Sequence, residues 1–281
     1  MGRGVKPPFP YYGGKMTTAA RIVAALPEHR HYVEPFAGSL AVLLAKPPSV
    51  METVNDLDGD IMHFWQVLRD RPADLARVCA LTPHSRAEWE ACRDDHASPD
   101  PIERARRVWV AITQARSNRL TRTGWRHYVD PGATGTAFPG YLDGYVDRMA
   151  AAAERLHHVT LESRPALEVI ARYGVHEDVL LYVDPPYLGV TRANDRSYRH
   201  ELMTEPEHRV LAEALTACRA SVVLSGYPSA LYDVELFPGW DRLEIPSGTG
   251  QGPHGWSNRT EVLWSNRPLH AQQTLDMEVT A

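Results

Sequence analysis

The sequence predicts an α/β fold in which a doubly wound sheet is interrupted by a mainly helical insertion. Five short apolar runs are typical of strands: residues 31–34, 51–55, 159–162, 179–183 and 221–225. Strands that alternate with helices form parallel βαβ units, which build such a sheet. Residues 69–157 instead contain Arg/Ala-rich helical segments and a Gly/Thr/Pro loop. We therefore expect a core domain of residues 1–68 and 158–281 and an inserted domain of residues 69–157.

The elements follow one another in a regular pattern. The first strand runs into a Pro-Phe-Ala-Gly turn and then into a helix over 40–44. The second strand ends at Asp56, and the helix after it places four apolar residues on one face: Ile61, Phe64, Trp65 and Leu68. Helices at 166–173 and 205–217 follow the third and fourth strands. This alternation supports the parallel sheet.

The overall composition is that of an ordinary globular protein. The chain has 281 residues, of which 43% are hydrophobic and 23% charged. No apolar run approaches the roughly 18 residues of a membrane span, and the first residues lack the apolar region of a signal peptide. Three cysteines form no CxxC pair, and 13 histidines include no HExxH. We expect a soluble cytoplasmic protein with reduced thiols, no membrane partner and no metal.

An apolar run ends in a polar turn that suits amine chemistry. The strand over 179–183 is followed by Asp184-Pro185-Pro186-Tyr187. In open α/β sheets, ligands bind at the carboxyl ends of the strands, and the prolines end the sheet ladder there. An exocyclic amine such as adenine N6 is a poor nucleophile, and two acceptors, the Asp184 carboxylate and the Pro185 carbonyl, can bind its N–H groups. Tyr187 can stack on a flipped-out base. The alternative is a Pro-Pro turn with an incidental aspartate.

A second turn has the features of a nucleotide site. Glu34-Pro35-Phe36-Ala37-Gly38 ends the first strand, where a glycine lets the backbone approach a ligand. Asp56 ends the second strand, where nucleotide-binding sheets place an acid on the ribose hydroxyls. The sequence has no GxGxxG, which disfavours a nicotinamide cofactor.

The N-terminal segment Tyr11-Tyr12-Gly13-Gly14-Lys15 is not a phosphate-binding loop, because Met16 stands where Ser or Thr is required. A Gly-Gly turn that presents an aromatic ring and an amine can instead close over a cofactor. We expect Tyr11 to face a sulfonium or adenine group and Lys15 to face a carboxylate.

Together these motifs resemble the Dam-like DNA N6-adenine methyltransferases of the alpha group. That family shares an aromatic-x-Gly-Gly-Lys segment, Glu-Pro-Phe-x-Gly, an acid after the second strand and Asp-Pro-Pro-Tyr. All four occur here in the same order, over roughly residues 8–265. The resemblance implies a Rossmann-like sheet of the class I methyltransferase type. It also implies that S-adenosyl-L-methionine is the cofactor and that adenine, flipped out of double-stranded DNA, is methylated on N6.

The resemblance also assigns roles to residues. The catalytic residues are Asp184, Pro185, Pro186 and Tyr187. The cofactor-binding residues are Tyr11, Lys15, Phe36, Gly38, Asp56 and Asp184. The insertion corresponds to the family's target-recognition domain, and a monomer is expected. N6 is expected to attack the sulfonium methyl group in line, without a covalent enzyme intermediate.

The insertion contains a strongly basic segment, although the net charge of the chain is −5. Seven arginines lie between Glu103 and Tyr128: Arg104, Arg106, Arg107, Arg116, Arg119, Arg122 and Arg126. Phosphates respond to such a local patch, whereas the usual alternative is a solvated helix face. From the position in the insertion, DNA contact is predicted for five residues: Arg116, Asn118, Arg119, Arg122 and Arg126.

Two departures from the family pattern leave alternatives open. Leu40 stands where the family usually has a second glycine, which is expected to narrow the cofactor pocket, and the Asn-Gly recognition segment is replaced. A cytosine-N4 methyltransferase, a protein or RNA amine methyltransferase and a DNA-binding relative that has lost catalysis are the alternatives. Asp rather than Ser or Asn before Pro-Pro-Tyr favours adenine.

Overall fold

A seven-stranded mixed sheet forms the centre of the computed structural model, which describes residues 4–116, 118, 120, 124–127, 138–187, 204–249 and 257–270. The strands are β1 His31–Glu34, β2 Met51–Asn55, β3 Thr160–Glu162, β4 Val179–Val183, β5 Ser221–Gly226, β6 Asp241–Thr249 and β7 Ser257–Ser265. They lie in the order β3-β2-β1-β4-β5-β7-β6. Strands β1 to β5 are parallel, and β7 runs antiparallel to both β5 and β6. The predicted doubly wound α/β fold is confirmed.

Helices flank this sheet in the described ranges. They are α1 Ala19–Ala25, α2 Ala41–Ala45, α3 Gly59–Asp70, α4 Pro72–Ala80, α5 Arg86–Arg93, α6 Pro101–Thr113, α7 Phe138–Val146, α8 Met149–Leu156, α9 Ala166–Tyr173 and α10 Glu205–Thr216. A π-helical turn follows at Leu231–Leu236. None of the helices in the described part of the chain combines the length and apolar composition that a bilayer-spanning helix needs.

Helices cover both faces of the parallel strands, which explains the continuous apolar sequence of β4. All five β4 residues are buried. Because side chains alternate along a strand, Leu180 and Tyr182 belong to one hydrophobic cluster, and Leu181 and Val183 belong to another. The two clusters form the cores on opposite faces of the sheet.

The strand order reverses between β1 and β4. Strand β1 pairs with β2 on one side and with β4 on the other, with Val33 opposite Leu181. In doubly wound sheets, a crevice opens beyond the carboxyl ends of the strands at this point. The turns that follow Glu34 and Val183 are therefore neighbours in space.

The helical segment from α4 to α8 packs against α3. Its central helix, α6, begins at the N-cap Asp100, whose carboxylate accepts a hydrogen bond from the Ile102 N–H (3.0 Å), with Pro101 in the first turn. On the buried face of α6, the Trp109 Nε1–H donates to the Pro8 carbonyl (3.0 Å). The apolar residues of α6 belong to the same hydrophobic cluster as Leu180 and Tyr182 of the sheet.

Candidate active site

A cavity of about 250 Å³ opens beside the carboxyl ends of β1 and β4. The six residues that the sequence predicts for cofactor binding all line it: Tyr11, Lys15, Phe36, Gly38, Asp56 and Asp184. Glu34 and Tyr182 also form part of the wall. Four segments that are distant in the sequence thus meet at one site.

The turn after β1 lines the cavity with Gly38, which has no side chain. Gly38 has φ +46°, in the left-handed region that glycine favours, and a Cβ there would lie 3.1 Å from two ring carbons of Tyr11. The Gly38 N–H donates to Asp56 Oδ2 (2.9 Å), and the Trp65 Nε1–H donates to the Gly38 carbonyl (2.9 Å). Asp56 therefore fixes the shape of this turn as well as lining the cavity.

Leu40 occupies a left-handed conformation as well, with φ 54°, at the N-cap of α2. Such a conformation costs an L-residue about 1–2 kcal/mol. The Leu40 side chain lies in the hydrophobic core and is 1% exposed. Ser39 and Ala41, on either side of it, form the cavity wall instead. The expected narrowing of the pocket by Leu40 is therefore wrong, because the side chain points into the core.

The N-terminal glycine turn holds Lys15 against Asp184, the first residue of the predicted catalytic tetrapeptide. Gly13 has φ 73°, and the Gly14 N–H closes a tight turn on the Tyr11 carbonyl (3.0 Å). The buried Lys15 ammonium donates to the Gly13 carbonyl (3.0 Å) and to both carboxylate oxygens of Asp184 (2.7 and 2.6 Å). Burial alone lowers the pKa of Lys15, but the nearby carboxylates outweigh it and the net shift is upward. In this structure Lys15 faces a carboxylate of the protein itself.

Asp184 directly follows β4 and lies at the cavity wall. Its side chain keeps only 18% of its surface exposed. Removal from water raises the pKa of Asp184 to about 6, with Lys15 opposing the shift and Glu261 adding to it. Pro185 and Pro186 are buried behind it.

The Tyr187 hydroxyl lies between two carboxylates. It is 3.1 Å from Asp184 Oδ1 and donates a short hydrogen bond to Glu261 Oε1. Glu261 Oε1 also accepts from the Ser225 hydroxyl (2.6 Å). The Tyr187 ring packs edge-on against Tyr227, with ring centroids 4.5 Å apart. The ring plane is therefore fixed from both ends.

The arginine segment, which we define as residues 114–127, begins and ends in a short antiparallel bridge. Ala115 pairs with Trp125, and the Arg116 N–H donates to the Gly124 carbonyl (2.8 Å). Asn118 has φ 56°; its carbonyl accepts from the Tyr12 N–H (3.1 Å) and its Oδ1 from Arg126 Nη2 (2.5 Å). The segment thus contacts the glycine turn next to Lys15. The predicted residues Arg119 and Arg122 lie outside the described residues.

The arginines of α6 take part in ion pairs. Arg104 binds Asp60 (2.8 Å), and Arg106 and Arg107 bind Glu103 (2.6 and 2.9 Å). Glu103 on the same helix and Asp60 on α3 therefore balance the first part of the basic run, and only the pair with Asp60 is invisible in the local sequence. Arg116, by contrast, is exposed.

A model of the D12 class N6 adenine-specific DNA methyltransferase family matches residues 11–240. The chain belongs to this family. The methyltransferase uses S-adenosylmethionine and methylates N6 of adenine in DNA. The Dam-like resemblance and the class I methyltransferase type of fold are confirmed, and the family favours adenine N6 over the cytosine-N4 alternative.

Other comparisons add little. No curated protein sequence matches the chain significantly. Among solved structures, the precorrin 8W decarboxylase of Methanobacterium thermoautotrophicum is similar over 94% of this chain and 96% of its own, at 10% identity and a TM-score of 0.36. A score this low carries no argument about function or fold.

The cavity of the methyltransferase fits S-adenosylmethionine. Glu34, which lines it, accepts from the Tyr32 hydroxyl (2.6 Å) and the Leu43 N–H (3.2 Å) through Oε1. Its Oε2 is buried and has no hydrogen-bond partner among the described residues. Burial raises the pKa of Glu34 to about 8, so at neutral pH it carries a proton that it can donate. A polar ligand group in the cavity is the natural partner for Oε2.

Two acids at the methyltransferase site were not predicted as functional from the sequence. Glu34 begins the Glu-Pro-Phe-x-Gly motif at the end of the first strand, and that position is the signal the sequence offers. Glu261 lies 74 residues beyond Tyr187, in a segment over 257–263 that resembles the closing hairpin of the family. The available signal was an acid directly before the apolar pair Val262 and Leu263, which is unusual in a buried strand.

Proposed function

We propose that Asp184-Pro185-Pro186-Tyr187 is the catalytic centre of the methyltransferase and acts on an adenine flipped out of double-stranded DNA. One observation carries this proposal. Asp184, largely buried, forms the wall of the predicted cofactor cavity at the same sheet edge where the Tyr187 ring lies. A base stacked on that ring places its amine beside both Asp184 and the cavity.

The acceptors of the turn act on the amine. The Asp184 carboxylate and the Pro185 carbonyl accept the two N–H groups of N6, which favours a pyramidal nitrogen with an available lone pair. Bound S-adenosylmethionine supplies an electrophilic methyl group. The acceptors are already oriented toward the positive charge that grows on N6, so they stabilise the transition state more than the ground state. An Asp184 with a pKa near 6 can then hold the proton that N6 releases.

The cofactor is assigned to the cavity residues. Tyr11 and Phe36 offer aromatic surfaces, the Gly38 turn offers backbone, and Asp56 is placed to accept from the ribose hydroxyls. Lys15 acts through Asp184, which it orients with two hydrogen bonds. The bond that joins Asp56 to Gly38 supports a preformed site.

The helical segment 69–157 is assigned to target recognition, and residues 1–68 and 158–281 to catalysis by a monomer. Support comes from the exposed Arg116 and from Asn118, whose contact with Tyr12 places the arginine segment beside the cofactor turn. Arg126 supports the same loop through its hydrogen bond to Asn118. Arg119 and Arg122 lie between these two residues in the sequence and are assigned to DNA with them. Arginines here are suited to phosphates or guanine edges.

The test is the substitution Asp184→Ala. We expect it to abolish transfer of radiolabelled methyl groups to unmethylated duplex DNA, with N6-methyladenine as the wild-type product on nucleoside chromatography. Asp178→Ala is the matched control, because this exposed residue directly before β4 forms hydrogen bonds only through its backbone carbonyl in the described structure. Full activity of Asp184→Ala contradicts the assignment, and activity on single-stranded DNA alone contradicts the duplex substrate.

A further inference from the structure

Glu261 connects the catalytic turn to the far side of the sheet. It lies on β7, opposite Ile245 of β6, and is 5% exposed. Its Oε1 accepts from Tyr187 and from Ser225, and it lies 3.8 Å from the Lys15 ammonium. Burial of a carboxylate costs free energy through lost hydration, unless hydrogen bonds or an opposite charge compensate for it.

Glu261 also changes the net charge around Asp184. Lys15 and Asp184 together are neutral, because one ammonium faces one carboxylate at 2.6 Å. The Glu261 carboxylate adds one negative charge to this pair. Methyl transfer creates a positive charge on N6, and an oriented negative charge in a region of low dielectric stabilises it.

The Tyr187 hydroxyl has one proton and two carboxylate neighbours. Its contact with Glu261 is the shorter one, and Asp184 Oδ1, at 3.1 Å, is the second acceptor within reach of the same hydroxyl. The hydrogen bond to Glu261 anchors the hydroxyl end of the side chain, and Tyr227 packs edge-on against the ring. The orientation of Tyr187 therefore depends on Glu261.

We propose that Glu261 is a positioning residue of the methyltransferase, which fixes Tyr187 through its hydroxyl and gives the Lys15–Asp184 pair the net negative charge that stabilises a cationic N6. The proposal rests on the catalytic roles proposed for Asp184 and Tyr187. It differs from a purely structural role because it predicts an effect on the chemical step.

The decisive variant is Glu261→Gln, which keeps the volume and an acceptor oxygen but removes the charge. We expect kcat to fall about tenfold or more, whereas KM for DNA and the dissociation constant of S-adenosylmethionine, measured by calorimetry, stay near those of the wild type. Glu244→Gln is the matched control, since Glu244 lies on the neighbouring strand with a 56% exposed side chain. It should leave kcat and both binding constants unchanged.

The pH profile separates charge from packing. Activity requires the ionised carboxylate of Asp184 as acceptor, so kcat falls as the pH drops through its pKa. The titratable groups whose charge acts on Asp184 or responds to it are Lys15, Glu34, Tyr182, Tyr187 and Glu261. Because Glu261 raises the pKa of Asp184, the acid limb of the Glu261→Gln profile should move to lower pH. A loss through packing alone leaves the limb in place.

A double-mutant cycle with Tyr187→Phe tests the hydroxyl contact. If Glu261 acts partly through Tyr187, the two losses in kcat are not additive. Unchanged kcat in Glu261→Gln, an acid limb that does not move, or fully additive losses would each overturn the proposal.

If Glu261→Gln does not fold, Ser225→Ala replaces it, because loss of the second donor to Glu261 must also lower kcat with cofactor affinity unchanged. Full activity of Asp184→Ala would instead reject the catalytic assignment itself, so the two failures are distinguishable.

Discussion

The ammonium group of Lys15 lies 2.7 and 2.6 Å from the two carboxylate oxygens of Asp184, although 169 residues separate them in the sequence. The two side chains are 6% and 18% exposed, so solvent screens the pair only weakly. The N-terminal glycine turn and the turn after β4 are therefore joined by one buried ion pair, and loss of either partner leaves a poorly solvated charge.

The variant Lys15→Met should destabilise the fold by on the order of 3 kcal/mol at pH 8 and by less at pH 6. Without Lys15, which opposes the upward shift, the pKa of Asp184 rises further in the folded state but not in the unfolded chain. Between the pKa of Asp184 in the unfolded chain, about 4, and its raised pKa in the folded variant, the folded state binds more protons than the unfolded state. The free energy of unfolding of the variant therefore falls as the pH rises through this range.

Urea unfolding at the two pH values measures the difference. Arg71→Met is the control, because Arg71 pairs with Asp74 at the surface with side chains 52% and 50% exposed. Its loss should cost less than about 1 kcal/mol at either pH. An equal loss at pH 6 and pH 8 for Lys15→Met contradicts the prediction.

The variant Glu34→Gln should remove a pH dependence of stability. Folded Glu34 has a pKa of about 8, well above that of the unfolded chain, chiefly because it is buried. Between about pH 4.5 and pH 8 the folded state keeps a proton that the unfolded state releases, so wild-type stability decreases with rising pH in this window. Glutamine imitates the protonated acid and should be the more stable protein at pH 8.

Chemical unfolding of both proteins at pH 5 and pH 8 checks this expectation. The predicted advantage of glutamine at pH 8 is on the order of 3 kcal/mol, and it should nearly vanish at pH 5. Glu168→Gln serves as the control, since Glu168 is 59% exposed. A constant difference across the pH range would show that Glu34 is ionised in the folded state.

The variant Leu40→Gly should destabilise the protein although it relieves a strained backbone. Relief of the left-handed conformation returns about 1–2 kcal/mol, whereas truncation of a buried leucine costs about 2–5 kcal/mol. We expect a net loss of about 2 kcal/mol in denaturant unfolding and unchanged affinity for S-adenosylmethionine. Gly38→Ala is the comparison, because its Cβ would lie 3.1 Å from the Tyr11 ring. This variant should bind S-adenosylmethionine more weakly. A lower affinity of Leu40→Gly for S-adenosylmethionine would mean that Leu40 shapes the cavity after all.

The variant Arg116→Ala should weaken DNA binding and reduce its salt dependence. The exposed guanidinium is assigned to a phosphate, and loss of one phosphate contact lowers the slope of log K against log salt by about 1. Fluorescence anisotropy with duplex DNA at several salt concentrations measures both quantities. Arg107→Ala is the control, since Arg107 is held by Glu103 on α6. Equal slopes for the wild type and Arg116→Ala would remove Arg116 from the interface.

Local sequence predicted the parallel sheet well because its central strands β4 and β5 are short, largely apolar and buried along their whole length. The bounds of β1, β2 and β4 agree with the prediction, and four predicted cofactor residues, Phe36, Gly38, Asp56 and Asp184, converge because they follow these strands. Partners that depend on distant segments could not be predicted. Glu261 reaches Tyr187 only through the antiparallel end of the sheet, and Arg104 finds Asp60 only once α6 packs on α3. The direction of the Leu40 side chain also required the backbone conformation.

The hydrogen bond from the Tyr12 N–H to the Asn118 carbonyl has a practical consequence for engineering specificity. A loop transplanted from another enzyme into the proposed recognition segment must present a carbonyl at the same place, with a residue that tolerates φ near the 56° of Asn118. Asparagine and glycine meet that requirement, whereas β-branched residues do not. Libraries that randomise the loop should therefore keep Asn118 fixed, so that new specificities are not lost through a disturbed cofactor turn.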